Sequence, residues 1–250
     1  MIRRLALGAV ALAAAPAAAA QGVAEAMGRV ASGEVHFHYA AREGVCGNGR
    51  NLHFSGLDND AGRPDCDRGP VYVTVLRAGG VVQDVEVEVG GPPPTLAGTR
   101  LGQVGAADAA HSMLRLARTT ADSSVARDAL TAAALADSVE IWPELLAMAR
   151  DRGLGQGTRT SALFWVSHLA GERVVREMGR IAEDATEDRE IRQMAVFALG
   201  RRPADEGVPA LLRVARNDRD PEVRRMAIFW LGRSGDPRAI SYFEEVLGGS

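Results

Sequence analysis

The 250-residue chain contains no lysine, and all 29 of its basic residues are arginine. Catalysis through a lysine Schiff base and phosphate binding by a Walker-type loop are therefore excluded. Aromatic residues are scarce, at 5%, whereas alanine is very frequent. This composition favours close helix–helix packing over the core of a large β-sandwich.

The chain also lacks an excess of positive charge. Its 32 acidic residues outnumber the 29 arginines, which gives a net charge of −3 at pH 7. Proteins that bind nucleic acid carry a concentrated basic surface, and no such surface is indicated here. We therefore predict no nucleic-acid partner.

Long apolar runs are absent except at the N-terminus, which reads MIRRLALGAVALAAAPAAAA. Two arginines precede an apolar run from Leu5, and an Ala-x-Ala pattern ends at Ala20. These features predict a secretory signal peptide over residues 1–20, removed before Gln21, and a periplasmic or secreted protein. The alternative is an N-terminal membrane anchor, although the run is too short to span a bilayer comfortably. No other segment is predicted to cross a membrane.

The C-terminal half repeats itself. EIRQMAVFALGRRPAD begins at Glu190, and EVRRMAIFWLGRSGDP begins 32 residues later, at Glu222. Weaker copies begin near Arg159 and Ala129, and a second phrase alternates with the first at the same period. Apolar residues lie three and four apart in both phrases, which is helical spacing. The repeat therefore predicts pairs of helices.

Helix boundaries are marked by residues of two kinds. Start signals are an Asp or Ser before the apolar run, at Ser123 or Ser124, Asp220 and Asp236. Stop signals are glycines, at Gly200 and Gly232. The periodicity predicts about nine helices from Ala106 to the C-terminus.

Helical pairs of this size cannot bury their own apolar faces, so stacking into an α-solenoid is predicted over residues 105–250. Alanines at one repeat position would let paired helices approach closely: Ala162, Ala195 and Ala227. Phenylalanines two residues later are predicted to fill the space between units: Phe164, Phe197 and Phe229.

The segments Asp188–Pro203 and Asp220–Leu247 resemble the HEAT-repeat family, in particular its short bacterial, lyase-like type. The resemblance covers about 145 residues by this periodicity. It implies an Asp–Arg ladder between units, with Asp188 and Arg192, then Asp220 and Arg224, in the matching places. It also implies that helices of the second phrase line the inner face of the solenoid.

Residues 34–91 follow a different pattern and are predicted to form a small β module. Valines alternate on both sides of Gly79-Gly80, which is typical of a hairpin within a sheet of three or four strands. Residues 21–33 are predicted to be a short helix or extension. The run GGPPPT begins at Gly90, and residues 92–104 are predicted to be a stiff linker that separates the β module from the solenoid.

Both cysteines, Cys46 and Cys66, lie in the β module. In an exported protein they predict a disulfide, which would contribute roughly 3 kcal/mol by closing a loop of about 20 residues. The alternative is a metal site that includes His36, His38 and His53, since His-x-His places both rings on one face of a strand. The cysteine spacing matches no zinc signature.

Sequence motifs for catalysis are missing. The chain has no Gly-x-Ser-x-Gly, no His-Glu-x-x-His and no glycine-rich dinucleotide loop, and we predict neither catalytic residues nor a cofactor. Candidate contact residues are arginines of the second phrase: Arg150, Arg176, Arg180, Arg213 and Arg216. They form either a solvated face with ion pairs or a groove for an acidic partner segment.

A non-catalytic scaffold that binds another protein is the function the repeats favour. Two alternatives stay open at this point. One is an accessory subunit or lyase-like enzyme component, because some lyase-like HEAT proteins handle bilin pigments inside cells. The other is a metal-binding N-terminal module.

Overall fold

The computed structural model describes residues 22–54, 66–91, 97–169 and 175–248. The predicted signal peptide lies outside these ranges. The described part of the chain begins with helix α1 (Val23–Arg29), and its strands are β1 (Gly33–Tyr39), β2 (Val45–Asn48), β3 (Asn51–Phe54), β4 (Val71–Ala78), β5 (Val81–Val89) and β6 (Thr99–Gln103). The remaining helices are α2 (Ala106–Thr119), α3 (Ser123–Ala134), α4 (Trp142–Arg150), α5 (Gln156–Leu169), α6 (Val175–Glu183), α7 (Arg189–Gly200), α8 (Ala204–Asn217), α9 (Pro221–Ser234) and α10 (Pro237–Gly248).

The N-terminal part contains a four-stranded sheet with the order β5-β4-β1-β6 and a separate β2–β3 hairpin. The predicted valine-rich hairpin is β4–β5, and its turn is Gly79-Gly80. Both glycines have positive φ, +58° and +81°, as a two-residue hairpin turn of the favoured twist requires. Two of the three strand pairings in this sheet are antiparallel, and β1 and β6 pair in parallel.

The linker predicted over residues 92–104 is wrong in its second half, because Thr99–Gln103 form β6. The strand pairs with the free edge of β1 and continues into a hydrogen bond from Val104 N–H to the His38 carbonyl oxygen, at 2.9 Å. A bulge interrupts the pairing between His36 and Phe37, and Gly102 has a φ of +72°. The bulge breaks the alternation by which a strand is recognised in a sequence.

The sheet and the helices share one apolar core. Inward side chains of β1 and β4, among them Phe37 and Val73, belong to the same buried cluster as the residues of α3. The Tyr39 hydroxyl donates to the Ala132 carbonyl oxygen at the heart of this contact, and burial raises the pKa of that phenol above its usual value. Arg42 donates to the Val139 carbonyl oxygen at 2.6 Å. The β module therefore packs directly against the first helical pair.

The described residues after Gly105 form nine helices, the number that the periodicity predicts. Odd-numbered helices α3, α5, α7 and α9 contact one another in sequence order, and each also packs against the even-numbered helix that precedes it. The alanines predicted at close approaches, Ala162, Ala195 and Ala227, are fully buried. The α-solenoid predicted from the repeat is confirmed.

Several predicted helix ends move in the structure. The N-cap of α3 is Asp122, whose Oδ1 accepts from the Ser124 and Val125 N–H groups, rather than Ser123 or Ser124. A carboxylate is as good a cap as a hydroxyl and stands one residue earlier. Helix α9 continues through Gly232 and ends at Ser234, before the left-handed Gly235.

Gly200 is the last residue of α7, but its main role is spatial. A Cβ at Gly200 would overlap the indole ring of Trp230, so the glycine provides a seat for that ring. The predicted space-filling role of the phenylalanines holds for two of three. Phe164 is partly buried against the core and Phe197 is half-buried against the Trp230 ring, whereas Phe229 is exposed because no described helix stacks beyond α9.

Candidate interaction surface

The five predicted contact arginines lie on three even-numbered helices. Arg150 is on α4, Arg176 and Arg180 are on α6, and Arg213 and Arg216 are on α8. All five are exposed at the surface. Helices α6 and α8 contact each other, and the ion pair between Arg150 and Glu177 joins α4 to α6, so these arginines share the side of the solenoid formed by the even-numbered helices. We call the five residues the arginine row.

Glutamates occupy the spaces between these arginines. Arg150 and Arg180 both pair with Glu177, and the Arg180 Nη1 to Glu177 Oε1 distance is 3.1 Å. Arg213 pairs with Glu183 at 2.8 Å, and Arg216 pairs with Glu245 at 2.7 Å. For Arg176 the described residues show no ion pair.

Three of these pairs join neighbouring even-numbered helices. Arg150 of α4 reaches Glu177 of α6, Arg213 of α8 reaches back to Glu183 of α6, and Arg216 of α8 reaches Glu245 of α10. The face is therefore a line of alternating charges. Exposed pairs of this kind contribute only about 0–1 kcal/mol each, since water solvates both partners well. Replacing one of these ion pairs by a pair with another molecule therefore costs little free energy.

A second set of arginines lies inside the solenoid, between successive odd-numbered helices. Arg159 of α5 is buried, and it donates to the Ala149 carbonyl oxygen at 2.9 Å and to Glu187 Oε1 at 2.6 Å. It also pairs with Asp188. Arg192 of α7 repeats the pattern, with the Ala182 carbonyl oxygen at 3.1 Å.

The ladder implied by the family resemblance therefore exists with different rungs. Asp188 pairs with Arg159 of the preceding unit, and Arg192 pairs with Asp218 of the following one. Asp220 accepts from Arg189 at 2.6 Å, and Arg224 donates to backbone carbonyl oxygens. Arg159 and Arg192 therefore reach forward to the following unit, whereas Arg224 bonds to the carbonyl oxygens of Asp218 and Arg219, just before its own helix.

Cys46 and Cys66 form the predicted disulfide, with a Cα–Cα distance of 5.4 Å. Cys46 lies on β2 beside His53 of β3 in the hairpin register. The bond ties the hairpin to the segment that leads into β4.

The candidate metal ligands His36 and His38 contact other protein groups. His36 Nδ1 lies 3.0 Å from Thr74 Oγ1, and its Nε2 lies 2.8 Å from the Ala97 carbonyl oxygen. His38 packs against the Tyr72 ring, with centroids 5.5 Å apart. Within the described ranges, no group of three His, Cys, Asp or Glu side chains is placed to hold a metal ion.

His168, at the end of α5, belongs to an aromatic cluster that the sequence does not predict. Its ring centroid lies 4.5 Å from that of Phe164, 6.3 Å from that of Trp165 and 6.5 Å from that of Phe54 on β3. Burial lowers the pKa of His168, and nearby Arg201 adds to this effect. Trp165 is buried in the same cluster.

The serine and histidine neighbours on α2 do not form a nucleophile and base. His111 Nδ1 bonds to the Ala107 carbonyl oxygen at 2.7 Å, and its other ring nitrogen lies 3.7 Å from Glu144. Ser112 is buried and contacts Asp108 at 3.5 Å. The two side chains point in different directions, as adjacent helical residues do.

Comparison with known proteins gives one positive finding. Residues 178–250 match the model of a family described as HEAT repeats. No curated protein and no solved structure shows a significant match to the chain. None of the helices in the described part of the chain has the length and apolar character needed to cross a lipid bilayer.

Proposed function

Because residues 178–250 carry HEAT repeats, we propose that the chain is a non-catalytic scaffold that binds another protein outside the cytoplasm. HEAT repeats generally mediate protein–protein interaction and typically have no catalytic role. The observation that carries the proposal is the unbroken stack of helical pairs, which presents a long surface built from equivalent positions.

Export is part of the proposal. The N-terminal segment has the arrangement of a secretory signal peptide, with Arg3 and Arg4 before the apolar run. The disulfide between Cys46 and Cys66 fits an oxidising compartment, because such bonds are rare in the cytosol. The periplasm or the cell exterior is the location that both features favour.

The binding face is the arginine row together with Glu177, Glu183 and Glu245. The pairs across this face are exposed, so an incoming carboxylate can replace an internal one at little cost. The partner is an extended or helical segment rich in Asp and Glu.

Partner capture with charge-reversed variants tests the proposal. We expect the mature chain, crosslinked in the envelope fraction, to recover a stoichiometric protein, and we expect Arg180→Glu with Arg213→Glu to lose most of it. Arg127→Glu with Arg115→Glu, on α3 and α2, is the matched control that keeps the net charge equal.

Rising salt should weaken capture by the native chain, because exposed charges are screened within about 10 Å at 0.1 M ionic strength. Recovery of no stoichiometric partner at several salt concentrations would contradict the scaffold proposal. Equal recovery with both charge-reversed pairs would contradict the assignment of the arginine row.

A further inference from the structure

The last two helices, α9 and α10, keep apolar residues at positions that are buried in earlier helices. Val196 on α7 is buried under the next pair, and its equivalent on α9, 32 residues later, is Ile228. Val208, Val214 and Ala215 on α8 are buried, and their equivalents on α10 are Ile240, Val246 and Leu247. These four later residues are 38%, 53%, 54% and 77% exposed.

A solenoid that ends in water normally has a polar outer face on its terminal unit. Here each of the four exposed residues is apolar, and three are larger than the buried residue that they correspond to. We define the C-terminal end face by Arg224, Ile228, Phe229, Gly232, Ile240 and Leu247. An exposed apolar surface of this composition is typical of a protein interaction site.

The end face contains an unfilled space above Gly232 that is equivalent to the space that holds an aromatic ring at Gly200. We call such a space a seat. On α7, Gly200 leaves room for the Trp230 indole, which also meets the Phe197 ring edge at 5.6 Å between centroids. The equivalent residues on α9 are Gly232 and Phe229. A Cβ at Gly232 would meet no atom closer than Phe243 Cζ, at 4.0 Å. The seat is therefore repeated, and no described residue occupies it.

Arg224 on the end face lacks, in the described part of the chain, the carboxylate partner that the equivalent arginines have. Arg159 and Arg192 each bond to a carbonyl oxygen of their own pair and to a carboxylate of the next pair. Arg224 donates to the carbonyl oxygens of Asp218 and Arg219, at 2.7 and 3.1 Å. Among the described residues it has no carboxylate partner. A molecule that covers the end face can supply that carboxylate.

We infer that the C-terminal end face docks an amphipathic helix of another protein that carries an aromatic residue and, some twelve positions earlier, an Asp or Glu. That spacing is the one by which Asp218 reaches Arg192 while Trp230 fills the Gly200 seat. Charge complementarity favours this occupant, since Arg224 has no carboxylate partner among the described residues and Arg233 lies over the exposed Phe229 ring, whereas Arg225 is paired with Glu222. The inference rests on the proposed scaffold function.

Head-to-tail stacking of a second copy does not fit the same face. The opposite end of the solenoid is α2–α3, and the sheet packs on α3 there, with Tyr39 bonded to Ala132. The face of α9 that would mimic an incoming helix, with Val223 and Ala227, is buried inside its own copy. We therefore assign the end face to a helix of another protein and leave self-association as an outcome of the test below.

A peptide of residues 218–234 is the probe, because this sequence already binds an equivalent seat on α7. A hydrocarbon staple that replaces side chains 225 and 229, which face solvent in α9, holds the peptide helical. We expect saturable binding to the mature chain by fluorescence anisotropy. Trp230→Ala in the peptide should weaken it by about tenfold or more, since a buried aromatic anchor is lost. Asp218→Asn should weaken it most at low salt.

Variants of the protein locate the site. Gly232→Arg fills the seat and should abolish peptide binding, whereas Val81→Glu, an exposed change in the β4–β5 turn region, should leave it unchanged. Absence of saturable binding, or equal binding to Gly232→Arg, would overturn the inference. A chain that dimerises in sedimentation velocity, and becomes monomeric with Gly232→Arg, would also overturn it in favour of self-association.

The two proposals fail separately. Loss of peptide binding with partner capture still dependent on Arg180 and Arg213 refutes the end-face inference alone. Failure to capture any partner, with the peptide still bound at Gly232, refutes the arginine row and leaves the end face as the binding surface.

Discussion

Individual residues at equivalent places in successive pairs have different surroundings, and Gly200 and Gly232 are a clear case. Gly200 lies under the Trp230 ring, whereas space is open at Gly232. The same amino acid therefore has a packing role in one helix and a weak helix-forming propensity in the next.

We predict opposite effects of alanine at these two glycines. Gly200→Ala should lower the free energy of unfolding by about 1–3 kcal/mol, because the methyl group overpacks against the indole. Gly232→Ala should raise it by about 0.5–1 kcal/mol, because α9 loses a flexible interior residue. Urea denaturation of both variants measures the difference, and equal effects would contradict the assigned role of Gly200.

His168 gives a pH dependence at the same scale. Burial lowers its pKa from 6.5, so the folded state favours the neutral ring more than the unfolded state does. The resulting stability is present above pH 6.5 and is lost as the pH falls through the lowered folded value. Between pH 7 and pH 5, stability should therefore decline.

We expect His168→Phe, which preserves the cluster with Phe54 and Trp165, to flatten this decline in urea titrations at several pH values. The exposed His111→Gln variant is the control and should keep the native slope. An unchanged slope in His168→Phe would show that another group titrates.

At the scale of elements, buried arginines join each helical pair to the next. Arg192 is almost fully buried, as is its partner Asp218, and both lie between α7 and α9. Removal of one member of a buried pair leaves an uncompensated charge, which is much more destabilising than the loss of a surface pair.

We predict that Arg192→Ala lowers the free energy of unfolding by about 3–5 kcal/mol. Arg224→Ala removes only hydrogen bonds to carbonyl oxygens and should cost about 0.5–1.5 kcal/mol. Chemical denaturation followed by circular dichroism at 222 nm compares the two variants. An equal loss of free energy of unfolding in Arg224→Ala and Arg192→Ala would contradict the absence of a carboxylate partner for Arg224.

The sequence predicts elements well where one local signal suffices. The valine alternation around Gly79-Gly80 predicts β4–β5, and the 32-residue period predicts the nine solenoid helices. The sequence predicts less well where contacts between residues distant in the chain determine the structure. The strand β6 needs the free edge of β1, and the exposure of Phe229 depends on the lack of a described helix beyond α9.

The candidate site shows the same division. The period is enough to place Arg180 and Arg213 in one row, because equivalent residues of stacked pairs lie side by side. Their partners Glu177 and Glu183 depend on side-chain reach between helices, which the period does not specify. The rung from Arg192 to Asp218 was missed for that reason.

For the whole molecule, the shared core means that the sheet and the solenoid stabilise each other. Tyr39, Arg42 and the residues around Ala136 connect the two parts by hydrogen bonds as well as apolar contact. The two sequence patterns therefore share one core in the part of the chain that the structure describes, and we expect them to unfold as one cooperative unit.

We predict that Cys46→Ser with Cys66→Ser lowers the free energy of unfolding by about 3 kcal/mol, through the larger entropy of the unfolded chain. Because the core is shared, the loss should appear equally in tryptophan fluorescence, which reports on the helices, and in hydrogen exchange of β4 and β5. Two separated transitions would contradict a single cooperative unit. The non-reduced native chain should show no free thiol by titration.

The sheet covers one end of the solenoid, so additional helical pairs fit more readily toward the other end. A duplicated pair of helices inserted after Asn217 would find familiar neighbours on both sides, since α8 and α9 already repeat the arrangement before them. An insertion ahead of α2 would separate the sheet from α3 and expose Tyr39. Longer versions of this protein, natural or engineered, should therefore add their pairs toward the C-terminus.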